Sequence, residues 1–101
     1  MFMWTEKKNK ENRKKHGIYL SEIESVFDDP HGLEFYDSQH SSLDEERYIF
    51  IGRWHDLILF AVTSDRSDGN TQIISARKAT SQEQEAYYEH YKKAVGGNKG
   101  F

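Results

Sequence analysis

The sequence predicts a single α+β domain in which helices lie before and after an antiparallel sheet of three or four strands. Its 101 residues match the commonest size of one domain, and 14% of them are aromatic, which argues against disorder. From residue 33 to residue 77 apolar positions alternate with period two in short segments, which is typical of strands joined by hairpins. The segments on both sides carry helix start and stop signals instead.

The N-terminal segment predicts a short edge strand at Phe2–Trp4, followed by a polar helix. Residues 6–16 contain no aliphatic side chain and no Phe, Trp or Tyr, so this helix cannot dock by burying an apolar face. Hydrogen-bonding side chains share one face of it, at positions i, i+3 and i+7: Asn9, Asn12 and His16. We therefore expect polar partners to anchor the helix, and Gly17 to end it.

Two capping boxes predict two further helices. Ser21 with Glu24 opens the first, which ends at Asp29-Pro30, and Thr80 with Glu83 opens the second. The first helix carries a short apolar stripe: Ile23, Val26 and Phe27. The second carries a stripe of Tyr87, Tyr91 and Ala94, of which we expect the two tyrosines to be core.

Between these helices the alternation predicts an antiparallel meander. The strands are expected at Leu33–Asp37, Glu46–Arg53, Asp56–Thr63 and Thr71–Arg77, with Trp54-His55 as a tight connection and 64–70 as a longer loop. In the second strand one face is predicted to carry Arg47, Ile49, Ile51 and Arg53, opposite Tyr48 and Phe50. In the last strand the shared face is predicted to hold Ile73, Ser75 and Arg77.

No linker or repeat divides the chain. We therefore expect one domain over residues 1–95. The glycine-rich end, residues 96–101, is predicted to be a flexible tail without a fold of its own.

Charge is segregated along the chain, although the net charge is only −3. Residues 1–17 carry six bases and two acids, whereas residues 18–46 carry nine acids and no base. The bases of residues 47–77 are all arginines, the side chain suited to bidentate contacts with phosphate or carboxylate: Arg47, Arg53, Arg66 and Arg77. The acidic balance argues against tight nonspecific binding of nucleic acid.

Several classes of function are excluded by what the sequence lacks. Without cysteine there is no disulfide scaffold, thiolate zinc site or thiol nucleophile, and the chain suits a reducing cytoplasm. The longest apolar run, Leu57–Val62, is too short to cross a bilayer, and the lysine-rich start lacks a signal-peptide core, so we expect a cytoplasmic protein without membrane contact. The histidines lack ligand spacing, and no glycine-rich phosphate loop occurs, so neither a metal nor another cofactor is expected.

The remaining constellation suits RNA cleavage without a metal. In that reaction a ribose hydroxyl attacks the adjacent phosphate, so the protein must supply cations for the developing charge and groups that move protons. The strand arginines are candidates for the first task, and His16, His40 and Glu46 for the second. Aromatic side chains such as Trp54 and Tyr48 suit stacking on unpaired bases. The same residues have a simpler interpretation, in which the arginines pair with the acidic segment, His16 bonds at a helix end and His40 lies in a loop.

Several motifs, in order along the chain from Phe2 to about Tyr91, resemble those of the BrnT toxins of bacterial toxin–antitoxin operons. The motifs are Phe2-x-Trp4 followed by Lys8, Asn9, Asn12 and Lys15-His16-Gly17; Val26-Phe27-x-Asp29-Pro30; Asp37-x-x-His40-Ser41; Glu45-Glu46-Arg47 leading to Gly52-Arg53; and Ile73-Ile74-Ser75-Ala76-Arg77-Lys78-Ala79. The last motif and the Lys-His-Gly triplet are the most specific.

The resemblance implies a small endoribonuclease with a RelE-like fold that cuts mRNA. It also implies a cognate antitoxin of the BrnA type, a ribbon-helix-helix protein that silences the toxin and through which the complex contacts operator DNA. On this basis the catalytic candidates are Arg47, Arg53, Arg66, Arg77, His16, His40 and Glu46, and the RNA-binding candidates are Lys8, Lys15 and Trp54. We expect RNA to approach over the basic first helix and the arginine-bearing strands, with the acidic run facing away or receiving basic residues of the antitoxin.

Two positions depart from the family pattern. Gln72 stands where the family usually has an arginine, and Thr5 stands where an aspartate usually follows the tryptophan. The loop that carries Arg66 is also about one residue longer than usual. The competing hypothesis is a non-enzymatic or inactivated binding module that pairs with a DNA-binding, antitoxin-like partner, its arginines only holding acidic groups.

Overall fold

The computed structural model describes residues 1–96 as an α+β domain built on a five-stranded sheet. Its elements are β1 (Phe2–Met3), α1 (Glu6–His16), two 3-10 helices (Leu20–Glu22 and Glu24–Asp28), β2 (Leu33–Tyr36), β3 (Arg47–Trp54), β4 (Leu57–Asp65), β5 (Thr71–Lys78) and α2 (Ser81–Val95). The predicted tail lies outside the described residues, except for Gly96.

The sheet has the strand order β1-β5-β4-β3-β2 and is mixed. Strands β2 to β5 form the predicted antiparallel meander, but β1 pairs with β5 in parallel, Phe2 opposite Thr71 and Met3 opposite Gln72. The prediction of a purely antiparallel sheet of three or four strands is therefore wrong. The reason is topological. The segment between β1 and β2, which comprises α1 and the 3-10 helices, crosses from one edge of the sheet to the other. This crossing leaves β1 at the edge beside β5, where it runs parallel to β5.

Helix α1 is docked by two buried asparagines, as its lack of apolar side chains predicted. The Asn12 amide donates to the carbonyl oxygens of Ile18 and Ala76 (2.8 and 2.9 Å), and its oxygen accepts from the Ala76 amide (3.0 Å). Asn12 thus pairs with the edge of β5 as a neighbouring strand would. Asn9 bonds to the amide and hydroxyl of Ser21. Gly17 ends the helix in the left-handed conformation, with φ of 76°.

The predicted helix before Pro30 is instead two short 3-10 helices. No capping bond forms from Ser21, because its amide and hydroxyl both bond to Asn9. The apolar side chains of this segment still face the sheet, and Leu20, Ile23 and Val26 are fully buried. The second capping box is confirmed, since the Thr80 hydroxyl accepts from the Glu83 amide and the Glu83 carboxylate accepts from the Thr80 amide.

The two faces of the sheet carry separate cores. On the first face the 3-10 segment packs on Leu59, Ala61, Ile73 and Ala76. On the second face α2 packs at one end of the strands, where Tyr87 contacts the cluster of Ile51, Ile58 and Ala79. Because α2 covers only that end, the other half of the second face is left open.

The Asp29 carboxylate ties α2 to the sheet. It accepts from the Tyr87 hydroxyl (2.6 Å) and from the backbone amides of Arg53 (2.8 Å) and His31 (2.9 Å). Burial and the bond to Asp29 raise the pKa of Tyr87 to about 12. Burial alone would raise the pKa of Asp29, but the three hydrogen bonds outweigh it and lower that pKa below its ordinary value.

Asn12→Ala is expected to lower the free energy of unfolding by about 1–3 kcal/mol, because it leaves buried backbone groups of Ala76 and Ile18 without partners. Chemical denaturation measures this directly. Lys10→Ala, at an exposed position of the same helix, is the control and should change stability by less than about 0.5 kcal/mol. Equal effects of the two substitutions would show that Asn12 does not anchor α1.

Candidate functional site

Two adjoining clefts meet at Ile74 and Ser75 on β5. The sheet cleft, of about 280 Å³, lies on the open half of the second face and has an apolar floor of Ile49, Phe60, Val62 and Ile74. Its polar lining includes Asp37, His40, Arg47 and Ser75. The helix cleft, of about 270 Å³, lies between α1 and β5 and is lined by Lys8, Glu11, Asn12, Lys15 and His16 together with Ile74 and Ser75.

A β-bulge explains why two consecutive residues of β5 line both clefts. Val62 pairs with Ser75 and Thr63 pairs with Ile73, so Ile74 is an extra residue without a partner on β4. The extra residue reverses the alternation of side chains along β5. The prediction that Ile73 shares a face with Ser75 and Arg77 is therefore wrong: Ile73 is fully buried on the first face, and Ser75 and Arg77 lie on the second.

Three of the candidate residues reach the helix cleft from α1. Lys8 and Lys15 line it, and His16, the last residue of the helix, lies beside Lys15. Partial burial, followed by the charges on Lys15 and Arg77, lowers the pKa of His16 below its ordinary value of 6.5. His16 is therefore mainly neutral at pH 7 and able to accept a proton.

His40 enters the sheet cleft from the connection between β2 and β3. Its Nδ1 lies 2.9 Å from Oδ2 of Asp37, and its backbone amide donates to Oδ1 of the same carboxylate (3.3 Å). The Asp37 side chain is 11% exposed and the His40 side chain 66% exposed. The imidazole is thus open to solvent on one side and held by a carboxylate on the other.

Arg47 lines the sheet cleft, Arg77 lies against Phe60 of its floor, and both arginines are ion-paired. Nε of Arg47 lies 2.6 Å from Glu45, on the adjoining connection. The Arg77 guanidinium donates two bonds to Glu83 of α2 (2.8 and 2.9 Å) and lies 4.0 Å from the centre of the Phe60 ring, which forms part of the floor. Both cations therefore meet the cleft with part of their charge neutralised.

Four other candidates lie away from the two clefts. Arg66 pairs with Asp68 in the connection between β4 and β5, and Arg53 lies under Tyr88 at the end of the sheet that α2 covers. Glu46 accepts from the Tyr48 hydroxyl on the first face. The indole of Trp54 donates to the Glu22 carbonyl and packs against the first-face core.

Sequence reasoning missed Asp37 and Glu83 as neighbours of the candidate residues. The Asp37-x-x-His40 spacing is the signal that could have indicated Asp37, because residues three apart on one turn can bring a carboxylate and an imidazole together. The capping box accounts for Glu83 from the sequence alone, and nothing in the sequence indicates that Glu83 also pairs with Arg77. The expectation that the acidic run faces away is wrong in part, because Asp37 lines the sheet cleft and Glu45 pairs with Arg47.

Neither clusters of metal ligands nor membrane-spanning helices occur in the described part of the chain. Within residues 1–96 no group of three His, Cys, Asp or Glu side chains is placed to hold a metal ion. None of the helices there is both long and apolar enough to cross a membrane.

The chain was also compared with known protein families and solved structures. Residues 4–83 match the family described as ribonuclease toxin, BrnT, of type II toxin–antitoxin systems. The chain therefore belongs to the BrnT family of ribonuclease toxins, and its membership implies an antitoxin partner. No curated protein matches the chain.

A solved structure supports the assignment at the level of the fold. The chain is similar to the Brucella abortus ribonuclease toxin BrnT in its 1.1 Å crystal structure, with 23% sequence identity and a TM-score of 0.62. The match covers 79% of this chain and 97% of that one. The family match, together with this similarity of fold, confirms the resemblance seen in the sequence motifs.

Arg77→Ala is expected to lower the free energy of unfolding by about 1 kcal/mol, the scale of a half-exposed ion pair and a cation–π contact. Thermal unfolding measures the change. Arg66→Ala removes a more exposed pair and should cost less than about 0.5 kcal/mol. A loss of about 3–5 kcal/mol for Arg77→Ala would instead mark it as one half of a buried pair with a purely structural role.

Proposed function

We propose that this protein is a metal-independent endoribonuclease toxin that cleaves mRNA and is neutralised by a cognate antitoxin. The observation that carries the proposal is that two clefts sharing Ile74 and Ser75 each hold an imidazole beside cationic side chains, His16 with lysines in the helix cleft and His40 with Arg47 in the sheet cleft. Family membership supports the same conclusion, because the family is one of ribonuclease toxins. Endoribonuclease chemistry of this kind needs only proton carriers and cations, and both are present.

The proposed reaction is an internal transfer of the phosphodiester. His16, neutral at pH 7, accepts the proton of the ribose 2′-hydroxyl, and the 2′-oxygen attacks the neighbouring phosphorus. The bond from phosphorus to the 5′-oxygen breaks, and that oxygen takes a proton from His40. The products are a 2′,3′-cyclic phosphate and a 5′-hydroxyl, and proton exchange with water restores both imidazoles.

Binding and charge stabilisation fall to the cations around the clefts. Lys8 and Lys15 contact the RNA backbone along the helix cleft, and Arg47 and Arg77 face the charge that develops on the phosphate. The apolar floor of the sheet cleft offers a surface for an unpaired base. Four candidates lie outside the clefts and have no part in this mechanism: Arg53, Arg66, Glu46 and Trp54.

We propose that the partner is a BrnA-like antitoxin with a ribbon-helix-helix domain, and that contact with DNA occurs only through the complex. The support for a partner is membership of a type II toxin–antitoxin family. An mRNA substrate and the absence of cysteine suit action in the cytoplasm. A RelE-like classification of the fold stays a prediction.

One observation favours a second function, that of a non-enzymatic binding module. Three of the four strand-region arginines already have a carboxylate partner within the chain: Arg47 with Glu45, Arg66 with Asp68, and Arg77 with Glu83. Arginines neutralised in this way bind phosphate less strongly. Only an assay of RNA cleavage separates the two functions.

Expression of the protein alone is expected to arrest bacterial growth and lower bulk mRNA, because free toxin cleaves transcripts. Co-expression with the antitoxin encoded beside it should restore growth. The purified protein should cleave RNA equally well with and without EDTA, since no step uses a metal.

The matched control is the double variant His16→Ala with His40→Ala, which should accumulate as soluble protein without toxicity. Normal growth with soluble wild-type protein would contradict the nuclease proposal and favour the binding module. Gln72→Arg, which restores the usual family residue, would then test whether this position accounts for the lost activity.

In the pH profile of kcat/KM, we expect the midpoint of the acid limb to lie below pH 6.5. His16 must be neutral to accept a proton, and its pKa is lowered. Lys15→Gln removes one of the charges that lower this pKa, so the limb should move towards pH 6.5. Lys14→Gln, one position earlier on α1 and outside the lining of the helix cleft, should leave the limb in place. An unchanged limb in Lys15→Gln would remove His16 from the role of base.

A further inference from the structure

We propose that Asp37 is a positioning residue that holds His40 with Nδ1 towards the carboxylate and Nε2 towards the scissile phosphate. In this arrangement His40 is the group that gives a proton to the departing 5′-oxygen. The proposal rests on the proposed ribonuclease function and adds to it the residue that fixes the orientation and tautomer of one imidazole.

The Asp37 carboxylate contacts His40 at two points. Oδ2 of Asp37 lies 2.9 Å from Nδ1 of the ring, and Oδ1 accepts the His40 backbone amide at 3.3 Å. An oxygen bonded to the backbone fixes the turn, and the other oxygen fixes the ring. Among the histidines of residues 1–96, His40 is the one whose ring nitrogen contacts a carboxylate oxygen.

The two ends of the loop that carries Asp37 and His40 are hydrogen-bonded to the same residue of β3, Arg47. The Asp37 amide donates to the Arg47 carbonyl (2.8 Å), and the Arg47 amide donates to the hydroxyl of Ser41 (2.8 Å). The segment from residue 37 to residue 41 therefore closes on the backbone of Arg47. This closure keeps His40 beside the Arg47 side chain in the sheet cleft.

Burial differs between the two partners in the way that a positioning role requires. The Asp37 side chain is 11% exposed, so its carboxylate is shielded and stays fixed, whereas the His40 side chain is 66% exposed and remains accessible to RNA. A carboxylate that accepts the Nδ1 proton leaves Nε2 as the ring atom that exchanges a proton with the substrate. Orientation of this kind is what an aspartate supplies to the histidine of a catalytic triad.

The properties of His16 decide which of the two imidazoles accepts a proton and which donates one. His16 has a lowered pKa and is suited to accept the 2′-hydroxyl proton, so His40 is left to act on the leaving oxygen. As the bond from phosphorus to the 5′-oxygen breaks, the Nε2–H bond of His40 breaks and an O–H bond forms on that oxygen. The ring is left neutral with its remaining proton on Nδ1, still bonded to Asp37.

The first test is Asp37→Asn, which keeps the size of the side chain and the oxygen that accepts the His40 amide. We expect kcat for RNA cleavage to fall by about 100-fold or more, the scale of one proton-transfer group, while KM changes less than about threefold. Asp44→Asn, an exposed acid in the same connection with the same change of charge, is the control and should leave kcat unchanged. Equal rates for Asp37→Asn and the wild type overturn the proposal and leave the ribonuclease function standing.

Two measurements remain decisive if Asp37→Asn folds poorly. In the wild type, ¹⁵N resonances of the neutral His40 ring should show the proton on Nδ1, and a proton on Nε2 overturns the proposal.

An RNA whose bridging 5′-oxygen is replaced by sulfur needs no proton on its leaving group, so His40→Ala should cleave it within about tenfold of the wild type. A loss as large as with ordinary RNA overturns the assignment of His40 as the proton donor. Wild-type protein that cleaves no RNA overturns this proposal and the ribonuclease function together.

Discussion

The bonds of the Asn12 amide to the backbone of Ala76 and Ile18 are the interaction on which the rest of the site depends. Helix α1 has no apolar face, so these bonds and those of Asn9 hold it against β5. Lys8, Lys15 and His16 project from that helix, and the helix cleft exists only while α1 stays docked. A polar anchor also leaves the rest of the helix surface free to carry cations, which an amphipathic helix would have had to give up in part.

The second constraint is the incomplete cover of the second sheet face. Helix α2 and the bond from Tyr87 to Asp29 close one end, and the open half presents apolar side chains beside charged ones. The bulge at Ile74 brings Ser75 and Arg77 onto that open face while Ile73 and Ala76 stay in the opposite core. Because of this one inserted residue, β5 contributes side chains both to the first-face core and to the sheet cleft.

The sequence allowed prediction of features that rest on local patterns. The meander and the Thr80 cap follow from short-range spacing, and the polar docking of α1 follows from the composition of one segment. The parallel pairing of β1 could not be predicted, because it depends on where the 3-10 segment crosses the sheet. The bulge at Ile74 escaped prediction because no glycine or proline marks it. For the site, residue types indicated the imidazoles and the cleft cations. The pairing of Arg77 with Glu83 and the contact of Arg53 with Tyr88 depend on the packing of α2, and the position of Trp54 depends on the packing of the 3-10 segment.

The two departures from the family pattern have different physical consequences. Thr5 caps α1 by accepting the Lys8 amide at 3.1 Å, a role that aspartate fills equally well, so this difference is neutral for the fold. Gln72 lines a cleft with Glu45 and Arg66, apart from both imidazoles. An arginine at this position would offer Glu45 a second cation and leave more of the charge of Arg47 for a phosphate. The glutamine therefore bears on the electrostatics of the sheet cleft through Glu45, and not on proton transfer or on the stability of the core.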